Sequence, residues 1–224
     1  DKIRWEEVEQ YNVGVDFSFF SSRLRLSLDG YIKNTNGMLV PMSVPISSGY
    51  SDEDVPYTNQ GRIRNTGLEI TLGSDNIVRN DFYWGSDFNI SFNKNRILSL
   101  SDKDEVFYND SGFGQNFCVN RVGEPIGAFI GWKTNGIFQT QDDVDNWAAQ
   151  VGAEPGDIRF ADEHSDGEIN EKDRTIIGYS QPVFTASFNN TIRWKGFDAE
   201  IYFQGVYGNT IFNVTKVDMT SMNK

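Results

Sequence analysis

Apolar and polar residues alternate strictly along residues 11–20 of the chain. One face carries Tyr11, Val13, Val15, Phe17 and Phe19, and the residues between them are Asn12, Gly14, Asp16 and Ser18. Alternation with a period of two is typical of a β-strand that has one apolar and one water-facing side. The pattern resumes at Leu24 after a short polar segment, so the two stretches are predicted to pair as a β-hairpin.

The same alternation predicts two further hairpins. One lies within residues 61–93, with a turn near residues 76–81, and the other lies within residues 183–203, with a turn at residues 195–196. These strands run to about 10–14 residues, whereas strands in soluble sheets usually have about 5–6. The side chains predicted to face lipid are Val13, Val15, Phe17, Leu26, Leu28, Phe88, Ile90, Phe188 and Ile201.

The connections between hairpins are much longer than the turns within them. Residues 37–60, rich in Pro, Ser and Gly, and residues 98–180 are predicted to be long loops at one end of the strands. Aromatic residues cluster beside the short turns, at Phe19, Phe20, Phe82, Trp84, Trp194 and Phe197. Both features are typical of outer-membrane β-barrels. We therefore predict an all-β fold, an antiparallel segment of a large transmembrane β-barrel built from three long hairpins.

A soluble β-sandwich is the alternative, because its strands also alternate where one face packs on a core. The two folds differ in whether the nine apolar side chains face lipid or are buried against a second sheet. In the sandwich interpretation the chain is a calcium-dependent glycan-binding module, with Tyr50, Tyr57 or Trp132 as platforms on which sugars stack. Packing within a loop is the commoner role for such aromatic residues.

The longest connection contains a predicted short helix. Thr140 precedes the stretch 141–150, and Asp143 lies three residues after it, which is the arrangement of a helix-capping box. Acidic residues in the first turn favour the helix further, because they complement the positive end of the helix dipole. Gly152 and Pro155 are expected to end it.

Residues 162–173 resemble the calcium loop of an EF-hand or a dockerin. Gly167 occupies the sixth position, where such loops turn sharply. The candidate ligands are Asp162, His164, Asp166, the carbonyl of Glu168, Asn170 and Asp173. His164 at the third position and Asp173 at the last depart from the usual residues and are expected to weaken the site. Calcium is therefore a candidate cofactor, the alternative is a metal-free acidic turn, and no cofactor is required.

The formal net charge of −12 is concentrated in one segment. Residues 101–180 hold 16 acidic and 6 basic residues, and the rest of the chain holds 16 and 14. This balance excludes sequence-independent nucleic-acid binding, which requires a surplus of Lys and Arg. The lone Cys118 and lone His164 exclude a disulfide framework and a Cys/His zinc cluster. Acidic residues are abundant, but the sequence does not show any pair held at the spacing that a glycosidase requires, so the chain is not expected to be an enzyme.

Seven segments resemble the SusC/RagA branch of the TonB-dependent outer-membrane transporters. They are YNVGVD (11–16), YIKNT (31–35), RNTGLE (64–69), FNISFNKN (88–95), GEPIG (123–127), GDIRF (156–160) and FQGVYGN (203–209). They follow the family's order and span nearly the whole chain. The resemblance is therefore specific.

The resemblance implies that residues 1–224 form part of a barrel of about 22 strands in the outer membrane of a Gram-negative bacterium. It implies that loops 37–60 and 98–180 are extracellular. It also implies import of oligosaccharides or peptides, driven by the TonB system through an N-terminal part outside this sequence, beneath a SusD-like lipoprotein lid. Six strands do not close such a barrel, so the segment alone is expected not to transport.

Overall fold

The structure is a computed structural model that describes residues 3–41, 56–101, 103–109, 116–213, 215–216 and 219. The chain divides into two compact units, of which the first comprises residues 1–106, 121–126 and 181–210, and the second comprises residues 107–120, 127–180 and 211–224. No helix in the described ranges is long and apolar enough to cross a membrane.

The described residues are dominated by β-strands. In chain order these are β1 (Glu7–Phe19), β2 (Leu24–Pro41), β3 (Tyr57–Arg79), β4 (Phe82–Leu100), β5 (Glu105–Asn109), β6 (Asn116–Arg121), β7 (Ala128–Gly131), β8 (Thr134–Ile137), β9 (Ile158–Phe160), β10 (Thr175–Tyr179), β11 (Phe184–Trp194) and β12 (Phe197–Tyr207). A short helix, α1 (Gln141–Asp145), precedes β9, and a 3₁₀ turn covers Glu171–Asp173.

Three long hairpins form the six-stranded sheet of the first unit. The strand order is β1-β2-β3-β4-β11-β12, and every neighbouring pair is antiparallel. The three predicted hairpins are confirmed, and β4 and β11 join the second hairpin to the third. Strands β1 and β12 are the edges of this sheet.

The strands extend further than the sequence pattern predicts. Strand β2 runs to Pro41 and β3 begins at Tyr57, so the connection predicted over 37–60 is too wide at both ends. Pairing continues past residue 37 because the register shifts between Asn36 and Leu39, where Gly37 has a positive φ of 72°. At the other end, a bulge between Asp75 and Ile77 carries β3 on to Arg79. The predicted turn over 76–81 is therefore wrong in extent, because only residues 80–81 lie between the strands.

The register places all nine predicted lipid-facing side chains on one face of the sheet. One row crosses all six strands: Phe17, Leu26, Leu72, Phe88, Phe188 and Phe203. None of the nine is buried, and Val13, Phe17 and Phe188 are 73%, 42% and 39% exposed. A sandwich would bury these side chains against a second sheet, so the β-sandwich alternative is wrong and the barrel interpretation holds.

The buried core of the first unit lies far from the short turns. Val40, Ile63, Ile97 and Leu100 are at most 7% exposed and are flanked by Met38, Val106 and Ile126. Ile63 and Ile97 are directly opposite each other, on the face of the sheet that is polar elsewhere. Residues 121–126 belong to this unit, and the backbone of Ile97 exchanges hydrogen bonds with Gly123 and Glu124.

The second unit contains a sheet of order β10-β7-β6-β5 and the separate β8-β9 pair. Its core consists of Val119, Ala128 and Ile130, with Ile176 packed against them. Helix α1 begins at the predicted Thr140 capping box, but it ends at Asp145, before the predicted residue 150. It ends early because Ala149 instead forms a bridge with Glu168, with backbone hydrogen bonds to Gly167 and Ile169.

Candidate functional site

The second face of the six-stranded sheet is polar and water-accessible. Near the short turns it carries a charged network in which Arg25 contacts Asp75 at 3.1 Å and Asp87 at 3.9 Å. The hydroxyl of Tyr83 donates to Asp75 at 2.8 Å. A recess of about 370 Å³ lies beside Arg25 and Asp16 on this face. Exposed ion pairs of this kind contribute about 0–1 kcal/mol to stability, so the network acts mainly as a charged, water-facing wall.

Three residues from separate family-like segments meet on the polar face. The ring of Tyr31 lies across the backbone of Gly67, and its hydroxyl donates to the Asn93 side chain at 3.2 Å. A Cβ at position 67 would overlap the Tyr31 ring. A glycine inside a strand pattern often marks such a close approach, and this signal in the sequence could have identified the contact.

We expect Gly67→Ala to destabilise the protein by about 1–3 kcal/mol, the usual cost of overpacking. The added methyl group would displace the Tyr31 ring and its hydrogen bond to Asn93. Chemical unfolding of the receptor that contains this segment measures the loss. Adding Tyr31→Ala to Gly67→Ala removes the clash, so the double variant should lose less than the sum of the single losses. Additive losses would contradict this explanation.

The acidic loop brings three of its predicted ligands together. Carboxylate oxygens of Asp162, Asp166 and Asp173 lie within 4.8 Å of one another. Asp162 accepts from the backbone N–H groups of Asp166 and Gly167, at 3.3 and 2.9 Å. The N–H of Gly167 therefore points into the loop, as the sharp turn predicted there requires.

Asp173 is the buried centre of this loop and is fully inaccessible to solvent. Its two oxygens accept from the backbone N–H groups of His164 at 3.0 Å and Asn170 at 2.8 Å. These bonds, that from Asn170 first, lower the pKa of Asp173 below its ordinary value. The pKa of Asp166 is lowered too, chiefly by the backbone N–H of Glu168 and further by Lys172. Both groups are therefore ionised at neutral pH, as calcium ligands must be.

The other three predicted ligands make their own contacts within this loop. His164 contributes its backbone N–H to Asp173, and its ring lies outside the group of converging atoms. The side-chain oxygen of Asn170 caps the 3₁₀ turn through the N–H of Lys172, and its amide nitrogen lies 3.5 Å from the Glu168 carbonyl. Carboxylates supply only part of the six to eight oxygens that calcium takes. Calcium binding therefore stays a prediction.

We expect calcium to release or absorb heat on binding to this loop, with a dissociation constant of about 10⁻⁴–10⁻³ M. Isothermal calorimetry on the intact receptor measures it. Asp166→Asn removes a charged ligand while keeping an acceptor for Glu168, and should abolish that part of the heat. Asp145→Asn in helix α1 is the matched control. If the unmutated protein and Asp166→Asn give identical titrations, the loop does not bind calcium and is a metal-free turn.

The three aromatic residues predicted to stack against sugars lie in different surroundings or outside the described residues. Tyr50 lies outside the described residues. Tyr57 opens β3 and is 57% exposed. Trp132 is partly buried against Phe160, and its indole N–H donates to the carbonyl of Asn170 at 2.9 Å, which ties the residue directly after β7 to the acidic loop. Sugar stacking by Tyr57 and Trp132 remains a prediction.

A second contact was not visible in the sequence pattern. Asn95, which is 6% exposed, accepts from the backbone N–H of Ile126 at 2.9 Å and donates to the Asn65 side chain at 2.9 Å. It therefore fixes residues 123–127, one of the seven family-like segments, against another of them. The alternation shows on which face of the strand Asn95 lies, but it does not show that a distant segment covers this side chain.

An apolar outer face, a polar inner face, short turns at one end and long connections at the other define a segment of a transmembrane β-barrel. The chain belongs to the family described as TonB dependent receptor-like, beta-barrel, whose model matches residues 1–153. The resemblance to SusC/RagA receptors is thereby confirmed, and with it an outer-membrane location and a family of transport receptors rather than enzymes.

The relatives of this chain are much longer than the chain itself. TonB-dependent receptor P3 of Formosa agariphila is 38% identical over 99% of this chain and 22% of its own length. TonB-dependent receptor SusC of Bacteroides thetaiotaomicron is 24% identical over 95% of this chain and 20% of its own length. The RagAB peptide importer in its open-open state superposes with a TM-score of 0.71 at 21% identity, covering 92% of this chain and 21% of that chain. The segment thus spans about a fifth of each.

Proposed function

We propose that this chain forms part of the wall of an outer-membrane importer for oligosaccharides or peptides. The observation that carries the proposal is the continuous polar face across all six strands, opposite an apolar face. Such a face lines a water-filled lumen in large barrels. Its side chains offer both charges and hydrogen-bonding groups, as at Arg25, Asp87 and Asn89, and therefore suit polar nutrients.

The proposed importer works with two partners. A SusD-like lipoprotein covers its outer mouth, and the TonB system supplies energy through a part of the receptor outside this segment. The likeness to SusC and to the RagAB peptide importer supports this arrangement. The segment alone does not import, because β1 and β12 leave unpaired backbone groups at the sheet edges, which lipid does not tolerate.

Uptake by cells that carry the intact receptor tests this function. We expect either a fluorescent oligosaccharide or a fluorescent peptide to accumulate, and accumulation to stop when a protonophore collapses the proton gradient. A strain without the receptor gene is the control and should take up neither probe. Affinity purification of the receptor should also co-isolate a surface lipoprotein. Accumulation that persists without the gene or without the gradient would overturn the proposal.

A further inference from the structure

A cluster of cations lies on the apolar face, where the apolar rows end. Arg64 is directly opposite Arg96, and Lys94 is directly opposite Thr66 on the same pair of strands. Arg62 lies two residues beyond Arg64 on β3, and all four cations are exposed. We call Arg62, Arg64, Lys94 and Arg96 the basic patch.

The basic patch lies at the height of the outer lipid headgroups. The ten residue-to-residue steps of β4 from Trp84 to Lys94 rise about 25 Å along the membrane normal, at about 3.3 Å per step and a strand tilt of about 40°. That distance matches the apolar band of outer-membrane barrels, which is about 25 Å tall. Trp84 lies in the aromatic row beside the short turns, so the patch lies just beyond the opposite boundary of the band.

The patch has no carboxylate partner in the part of the chain that the structure describes, since no salt bridge there includes any of its four residues. Arg62 and Arg64 each donate one hydrogen bond, to the amide oxygens of Asn36 and Asn34 on β2. Glu9 lies in the same row as Arg64 but two strands away, so about 10 Å separates the backbones of the two residues. That separation exceeds the range of an ion pair.

Like charges directly opposite each other on neighbouring strands destabilise a sheet. The Arg64–Arg96 pair therefore favours an anion that bridges the two guanidinium groups. Arginine binds phosphate oxygens through two parallel hydrogen bonds, and each Lys or Arg near a membrane surface strengthens the attraction of anionic lipid. We propose that the basic patch binds the phosphate group of an outer-leaflet lipid, which fixes the receptor's depth and orientation in the membrane.

Native mass spectrometry of the intact receptor in detergent tests this proposal, with phosphatidic acid as the phosphate-bearing probe and phosphatidylcholine as the zwitterionic comparison. We expect the unmutated receptor to bind phosphatidic acid at least tenfold more tightly than phosphatidylcholine. The double variant Arg64→Gln/Arg96→Gln should weaken phosphatidic acid binding by at least tenfold and leave phosphatidylcholine binding unchanged. Lys33→Gln/Arg193→Gln removes two cations from the polar face and should leave both unchanged.

Four results would overturn the proposal. The first is that the unmutated receptor binds both lipids equally, and the second is that Arg64→Gln/Arg96→Gln binds phosphatidic acid as tightly as the unmutated receptor. The third is that Lys33→Gln/Arg193→Gln loses as much phosphatidic acid binding as Arg64→Gln/Arg96→Gln. The fourth is that an equal concentration of inorganic phosphate displaces the lipid. The same spectra report the number of receptor copies per particle. If Arg64→Gln/Arg96→Gln instead changes that number and not lipid binding, the patch is a contact between copies.

Discussion

Ile90→Arg is expected to destabilise the receptor in the membrane by about 2–4 kcal/mol, whereas Ser91→Arg, one residue further along β4, is expected to be nearly neutral. Ile90 lies in a row with Val15, Leu28 and Ile70 on the apolar face. It is about 15 Å from Trp84 along the membrane normal, near the middle of the apolar band. A cation there must leave water or distort the bilayer, which explains the cost.

Ser91 is the matched control because it lies on the same strand but on the opposite face. It is directly opposite Glu69, so an arginine at this position remains in water beside a carboxylate. Urea unfolding of the receptor refolded into lipid vesicles measures both variants, and the amount of folded receptor in the outer membrane is a second readout. Equal losses in the two variants would mean that the faces are not lipid and lumen.

The assignment of faces could be predicted from the sequence because the period of a strand is a local property. Val13, Val15 and Phe17 alternate with polar residues whatever lies beside them, and the structure confirms the face on which each lies. The capping box at Thr140 and the convergence of Asp162, Asp166 and Asp173 are local as well. Each involves residues at most twelve positions apart.

The strand ends and the contacts between strands could not be predicted in the same way. Bulges at Asn36–Leu39 and Asp75–Ile77 shift the register and extend the strands, but they interrupt the alternation that would mark them. The Arg64–Arg96 pair exists only in the β3–β4 register that the bulge at Asp75–Ile77 helps to set. The alternation does not link residues 123–127 to β4 either, because their partner Asn95 lies 31 residues before Ile126 in the chain.

That partner leads to the second large effect, since Asn95→Leu is expected to lower stability by about 2–5 kcal/mol. Leucine has nearly the same volume but removes both hydrogen bonds of this buried amide, to the N–H of Ile126 and to the side chain of Asn65. Each buried polar group left without a partner costs about 1–3 kcal/mol. The loosened segment should also expose the bond after Arg121 to trypsin.

Asn89→Leu separates this effect from a general intolerance of leucine on the polar face. Asn89 lies on the same strand and face, is only partly buried, and donates to the Thr71 hydroxyl alone at 2.9 Å, so its loss should cost about 0.5–1.5 kcal/mol. In Asn65→Leu/Asn95→Leu the Asn65 amide is also removed, so that only the Ile126 N–H is left without a hydrogen-bond partner. Urea unfolding should therefore show that the double variant loses less stability than the sum of the losses in the two single variants. If Asn95→Leu and Asn89→Leu unfold at the same urea concentration and resist trypsin equally, Asn95 does not hold residues 123–127 in place.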